Sequence, residues 1–191
     1  MKKIVLSALL ASGLLCGLTA HAGMNTFSVG YAQSKIQGLK NIGGVNVQYR
    51  YEVDSVLSLI GSFSYLDGDA DVSNSISNDV IRNHADSKYY SFLVGPAYRI
   101  NPVVSVYALV GTAHVKTDVS SEWFNFESGK GLISQGTQKS TFSSNAFAYG
   151  AGVIINPLEN LSVNLGYEGT KADINGDRAI NGFTVGVGYR F

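Results

Sequence analysis

Residues 180–191 read INGFTVGVGYRF, with Phe183, Val185, Val187, Tyr189 and Phe191 at every second position. Gly182, Thr184, Gly186, Gly188 and Arg190 stand between them. A period of two belongs to an extended strand, whose side chains point alternately to opposite faces. One face here is large and apolar, and the other is small or polar. A strand in a soluble sandwich packs its large face on a shared core and solvates the other. A strand in a narrow membrane barrel turns the large face to lipid and packs small residues inside.

Seven more segments repeat this pattern. Phe27, Val29 and Tyr31 alternate with small residues, as do Val45, Val47, Tyr49, Tyr51 and Val53 with Asn46, Gln48, Arg50 and Glu52. Leu57, Leu59, Gly61, Phe63 and Tyr65 follow, with Ile60 breaking the alternation. Tyr90 to Tyr98, Phe147 to Ile155 and Leu161 to Tyr167 continue it, and 103–116 is extended and apolar with two faces that are hard to separate. Strands of about 9–11 residues suit a tilted crossing, and no mature segment has the roughly 18 apolar residues of a helical span. The expected fold is an all-β, eight-stranded antiparallel transmembrane barrel. Closure removes every strand edge, which lipid demands of any β structure.

The connections alternate strictly. Short ones are expected at Asp54–Ser55, Asn101–Pro102 and Asn156–Asn160. Longer ones are expected at Gln37–Gly43, Asp67–Ser87, Asp118–Ser144 and Asp173–Ala179. This is the arrangement of periplasmic turns and extracellular loops in an outer-membrane barrel.

The N-terminus carries an address. Lys2 and Lys3 precede an apolar run from Ile4 to Leu18, and Ala20-His21-Ala22 matches a signal-peptidase site. Residues 1–22 are expected to be a cleaved signal peptide and 23–191 a single barrel domain. A transmembrane anchor fits less well because the run is short, and a lipoprotein because small residues are missing before Cys16. Cys16 is the one cysteine in the chain, so the mature protein has neither disulfides nor thiolate chemistry. Without Lys2 and Lys3 the formal balance is 12 basic against 14 acidic residues, which gives no support to nucleic-acid binding.

The blocks TFSVGYAQSKI (26–36), GVNVQYRYEV (44–53), YYSFLVGPAYRIN (89–101), VSVYALVGTAHVK (104–116), AYGAGVIINPLENLSVNLGYE (148–168) and GFTVGVGYRF (182–191) occur in order. Together they resemble the Ail/Lom/OmpX family of small outer-membrane proteins. The resemblance covers nearly the whole mature chain and fails in the long loops. It implies an eight-stranded barrel without an open pore, in the outer membrane of a Gram-negative bacterium, whether chromosomally or phage-encoded. It also implies virulence-related loops that serve attachment to host cells or extracellular matrix, invasion, or resistance to complement. A structural, envelope-maintaining barrel without host activity is the alternative, and a lipid-A-modifying enzyme a more distant one.

Several residues stand out for their chemistry. Arg50, Glu52, Arg99, Glu168 and Arg190 fall on inward faces and are expected to pair across the lumen, since an isolated buried charge is costly. Such a network either plugs and stiffens the barrel or forms a selectivity constriction. Lys35, Lys88, Lys116 and Lys171 stand at upper strand ends, level with lipopolysaccharide phosphates, where they either bind them or simply snorkel. Trp123, Phe124 and Phe126 are candidate ligand contacts in the third long loop, with the membrane interface or barrel wall as their alternative.

Catalytic and metal chemistry find less support. The acidic 67–87 segment lacks EF-hand spacing. His84 and His114 lie outside any nucleophile motif. No enzyme activity, metal or cofactor is expected. Phe191 resembles the C-terminal aromatic signal read by the barrel-assembly machinery. The expected partners are therefore that machinery, lipopolysaccharide, and host matrix proteins, host-cell surfaces or complement regulators.

Overall fold

The computed structural model describes residues 24–37, 41–54, 56–76, 79–127, 131–173 and 176–191, with side chains described outside 70–83 and 125–135. The expected signal peptide lies outside the described residues, as does the side chain of Phe126. Eight strands follow in order: β1 (Asn25–Ile36), β2 (Asn41–Glu52), β3 (Leu57–Ile76), β4 (Asp79–Arg99), β5 (Val104–Glu127), β6 (Gly131–Leu158), β7 (Leu161–Asp173) and β8 (Asp177–Arg190). Each pairs antiparallel with its neighbours, and β8 returns to β1 to close the barrel. The closing register runs from Thr26 opposite Arg190 to Ile36 opposite Ile180.

The outer wall is apolar. Val29, Phe92, Phe147, Phe183, Val185, Val187 and Tyr189 are all at least half exposed. In water this band would be far larger than any patch a soluble monomer tolerates. Facing hydrocarbon, it is the contact surface that holds the barrel in lipid.

The interior is more apolar than alternation suggests. Ser, Asn and Gln line much of it, but Ile60, Leu66, Leu93, Leu109 and Ile154 are also fully or nearly fully buried there. Ile60, which interrupts the sequence pattern, pairs with Arg50 and so points inward. Along β5 the ambiguous faces separate: Ser105, Tyr107, Leu109, Ala113 and Val115 are buried, whereas Val106 and Val110 are exposed. Room for the Tyr107 ring comes from glycine. A Cβ on Gly152 would lie 2.5 Å from Tyr107 Cζ, and one on Gly166 would strike the same hydroxyl.

The long connections differ from expectation. Residues 67–87 and 118–144, read as loops, are mostly strand. The β3–β4 ladder continues from Asp67 opposite Lys88 to Ile76 opposite Asp79. The β5–β6 ladder runs to Glu127 opposite Gly131. Strands β3 to β6 hold 20, 21, 24 and 28 residues, against 12 to 14 in the other four. Beyond the lipid both faces of a strand meet water, so the hydrophobic alternation fades. Backbone groups still pair, and the ladder persists. The result is a sheet of four strands rising above the barrel.

At the opposite end the turns are short and locked by side chains. Asp54 Oδ1 accepts the amides of Val56 and Leu57 at 2.7 and 2.6 Å, which holds its carboxyl below the usual carboxylate range. Asn101 Oδ1 accepts those of Val103 and Val104 at 2.9 and 2.8 Å. Both are Asx turns, the local chemistry that lets a chain reverse between two strands.

Candidate functional site

Four of the inward charges meet at the short-turn end of the lumen. Arg99 donates to Glu52 Oε1 at 2.5 Å, and Arg190 to Oε2 at 2.8 Å. Arg50 Nη2 lies 3.9 Å from the same carboxylate, and Arg50 Nε donates to Ser58 Oγ at 2.9 Å. Glu52 is 6% exposed and the Arg50 residue 3%. One buried carboxylate thus stands among three guanidinium groups.

Glu168 is not in this group, contrary to the expectation of one five-charge network. It pairs with Gly182 on β8, roughly 25 Å along an extended strand from Arg190. There it accepts hydrogen bonds from the hydroxyls of Tyr89 and, at 3.3 Å, Ser64. Its partners were invisible to strand-by-strand reading because they lie on β3 and β4, across the lumen. Between the two sites Asn46 donates to Ser62 and Ser64 at 2.9 and 3.0 Å, and Gln48 donates to the Tyr107 hydroxyl at 3.4 Å.

The four rim lysines are all exposed on the outer wall. Lys88 and Lys116 stand directly opposite each other on β4 and β5, with Asp67 opposite Lys88 on its other side. Lys116 Nζ reaches Asp118 at 3.4 Å. Lys171 pairs with Asp177 at 2.8 Å, and this contact raises the lysine's pKa. Lys35 lies apart, opposite Asn41 and Asn181, beside a surface hollow of about 370 Å³.

The aromatic residues sit high on the projecting sheet. Trp123 is 54% exposed and Phe124 partly buried. They flank a β-bulge, where Trp123 faces Gly136 but Phe124 faces Ser134. Gly136 has φ +128°, a conformation that side-chain-bearing residues rarely adopt, so glycine is what allows the extra residue here. Phe126 faces Leu132 on the backbone ladder near the hairpin tip.

Register also assembles a feature that segment-by-segment reading missed. Asp69, Asp86 and Asp118 fall opposite one another across β3, β4 and β5. Thr141 donates to Asp118 at 2.6 Å, and this bond, with Lys116, holds the Asp118 carboxyl below its usual range. Asp86, Asp118, Lys139 and Thr141 are among the residues that line a surface hollow of about 260 Å³. His84 contacts Asp86 at 3.3 Å, and His114 contacts Asn145 at 2.7 Å. Among the described residues no cluster of three metal-ligating side chains occurs.

A closed barrel of eight strands, apolar outside and packed inside, with short turns at one end and long hairpins at the other, defines an integral outer-membrane protein. Comparison with known sequences narrows that class. The profile described as Enterobacterial Ail/Lom protein matches residues 1–191, and the chain belongs to this family. It is 46% identical over 194 residues to the virulence membrane protein PagC of Salmonella typhimurium, covering both chains fully. It is 38% identical over 196 residues to outer membrane protein X of Escherichia coli, again with full coverage of both. Among solved structures, the attachment invasion locus protein Ail of Yersinia pestis is similar at TM-score 0.68 and 34% identity, over 90% of this chain and 100% of that one. Ail has also been solved in complex with the heparin analogue sucrose octasulfate, and that structure is similar at TM-score 0.67 and 33% identity, with the same coverage. The short turns are therefore periplasmic and the projecting sheet extracellular.

Proposed function

We propose that this protein is a virulence-related display scaffold whose projecting β3–β6 sheet binds host-surface or serum molecules, giving attachment, invasion or complement resistance. The observation that carries the reading is the sheet itself. Four strands extend well past the lipid, and the β2–β3 ladder ends at Gly43 opposite Asp67. The β6–β7 ladder ends at Ala148 opposite Thr170, so the tall parts of β3 and β6 have a ladder partner on one side. Such edges, with exposed Trp123 between them, suit recognition of a protein partner. The names of the relatives support the same direction. The polyanion seen on Ail points to sulfated polysaccharide as a ligand class to test here.

Expression in a non-adherent, serum-sensitive Gram-negative host tests the proposal. Gain of adhesion or serum survival is the expected result. Trp123→Ala combined with Phe126→Ala should reduce the gain at equal surface expression. No gain at normal expression favours the second reading, an envelope-maintaining barrel, which the packed lumen supports. In that reading the Arg50–Glu52–Arg99–Arg190 cluster is a plug and stiffener. Lys35, Lys88, Lys116 and Lys171 serve either reading by meeting lipopolysaccharide phosphates, and a quadruple Lys→Ala variant should bind lipopolysaccharide less well. This binding role calls for no catalysis, and His84 and His114 contact Asp86 and Asn145 on the surface. An unchanged lipid A mass spectrum on expression is the matching result.

A further inference from the structure

The periplasmic end of the lumen holds more positive charge than it balances. Arg50, Arg99 and Arg190 bring three cations to Glu52, a single carboxylate. Glu168, also an inward acid, sits far along the barrel on Tyr89 and Ser64. The walls there are not uniformly polar, because Ile60 lies opposite Arg50 and Ile154 opposite Ser105, both buried. Unbalanced charge in such a setting is strongly disfavoured.

The hydrogen-bonding pattern has the same sense. Arg50 Nη2, Arg99 Nε and Arg190 Nε are buried and have no hydrogen-bond partner among the described residues. The same holds for Thr26 Oγ1 and Ser105 Oγ. The register brings these groups together. Thr26 lies between Arg50 on β2 and Arg190 on β8, and Ser105 lies opposite Arg99. All five can donate, and three belong to cations. None of the five has an acceptor among the described residues, and for the three cationic groups an anionic acceptor gives the strongest bond.

We propose that this end of the lumen is a binding site for a small inorganic oxyanion of the phosphate class, held by Arg50, Arg99 and Arg190 with the hydroxyls of Thr26 and Ser105. Several donors approaching from different strands match the several oxygens of an oxyanion, and guanidinium groups favour that geometry. The site suits a small ion because its walls leave little open surface: Arg99 and Arg190 side chains are 17% and 10% exposed. Bound there, the anion would complete the charge balance that Glu52 begins.

The test is an NMR titration of the folded barrel in phosphatidylcholine nanodiscs, following the arginine Nε–Hε resonances at constant ionic strength. Inorganic phosphate should shift those of Arg99 and Arg190 saturably, with half-saturation at about 1 mM or below. Glu52→Gln removes the competing carboxylate and should lower the half-saturation at least about tenfold. Thr26→Val keeps side-chain shape and barrel charge, and should raise it about threefold or more. The wild-type and Thr26→Val titrations decide the matter if Glu52→Gln does not fold. No saturable shift up to about 100 mM phosphate, where screening is strong, overturns the proposal and leaves water as the partner of these donors. Equal shifts at Arg178, at the far end of β8, overturn it as general screening. An equal half-saturation for chloride overturns the oxyanion assignment.

Discussion

Replacing Glu52 with Gln keeps side-chain shape while removing the charge on which three arginines converge. Arg99 and Arg190 bind its two oxygens at 2.5 and 2.8 Å, and Arg50 lies 3.9 Å away. The amide can still accept one hydrogen bond, but its NH2 group faces a donor. Removing one partner of a buried ion pair costs about 3–5 kcal/mol, chiefly through the charge left behind. Arg99 and Arg190 retain some exposure, so the lower figure applies, about 3 kcal/mol. With a urea m-value of about 2 kcal/mol/M, the unfolding midpoint should fall by about 1.5 M. The assay is reversible urea unfolding of the barrel in lipid vesicles, followed by far-ultraviolet circular dichroism in a buffer free of phosphate. A midpoint within about 0.3 M of wild type would refute the argument that this carboxylate holds the cluster together. Glu52→Gln with Arg190→Gln should lose less than the sum of the two single changes, because the two side chains share one interaction.

Deleting Phe191 removes both backbone bonds it exchanges with Asn25, each 2.8 Å, at the seam that closes the barrel. Assembly yield in cells should fall, while barrel refolded in vitro should lose about 1–3 kcal/mol by urea unfolding. Gly166→Val places a branched side chain against the Tyr107 hydroxyl and should cost about 1–3 kcal/mol, with partial recovery on adding Tyr107→Phe. Thr141→Val should raise the Asp118 carboxyl pKa toward its ordinary 3.8, read by carbon-13 NMR. Because the folded pKa of Asp118 is depressed, its contribution is present above the unfolded pKa and is lost as pH falls through the folded one. The variant should therefore lose part of the protection of the upper β5–β6 hairpin seen near neutral pH, and the difference should vanish in acid.

How much of this was legible in the chain follows from where water and lipid lie. Within the membrane a strand must turn apolar side chains outward, so 182–191, 147–155 and 90–98 declare strand, face and order by alternation alone. The resemblance to the Ail/Lom/OmpX family came from these same blocks, for the same reason. Above the membrane that contrast vanishes, and 67–87 and 118–144 looked like loops although their backbones stay paired. Trp123, Phe124 and Phe126 lie on the β5–β6 ladder, but the bulge at Trp123 depends on the register of β6 and the φ of Gly136.

Alternation along the chain specifies an eight-stranded barrel, its outward face, the ends that carry turns and hairpins, and the set of inward charges. These are properties of single strands and their neighbours in the chain. Tertiary structure decided which inward groups meet. Arg50, Arg99 and Arg190 share Glu52, while Glu168 goes to Tyr89 and Ser64. Closure and stagger bring distant strands to a common height, and no local pattern encodes that height. Stagger therefore sets both the packed interior and the excess positive charge at its periplasmic end.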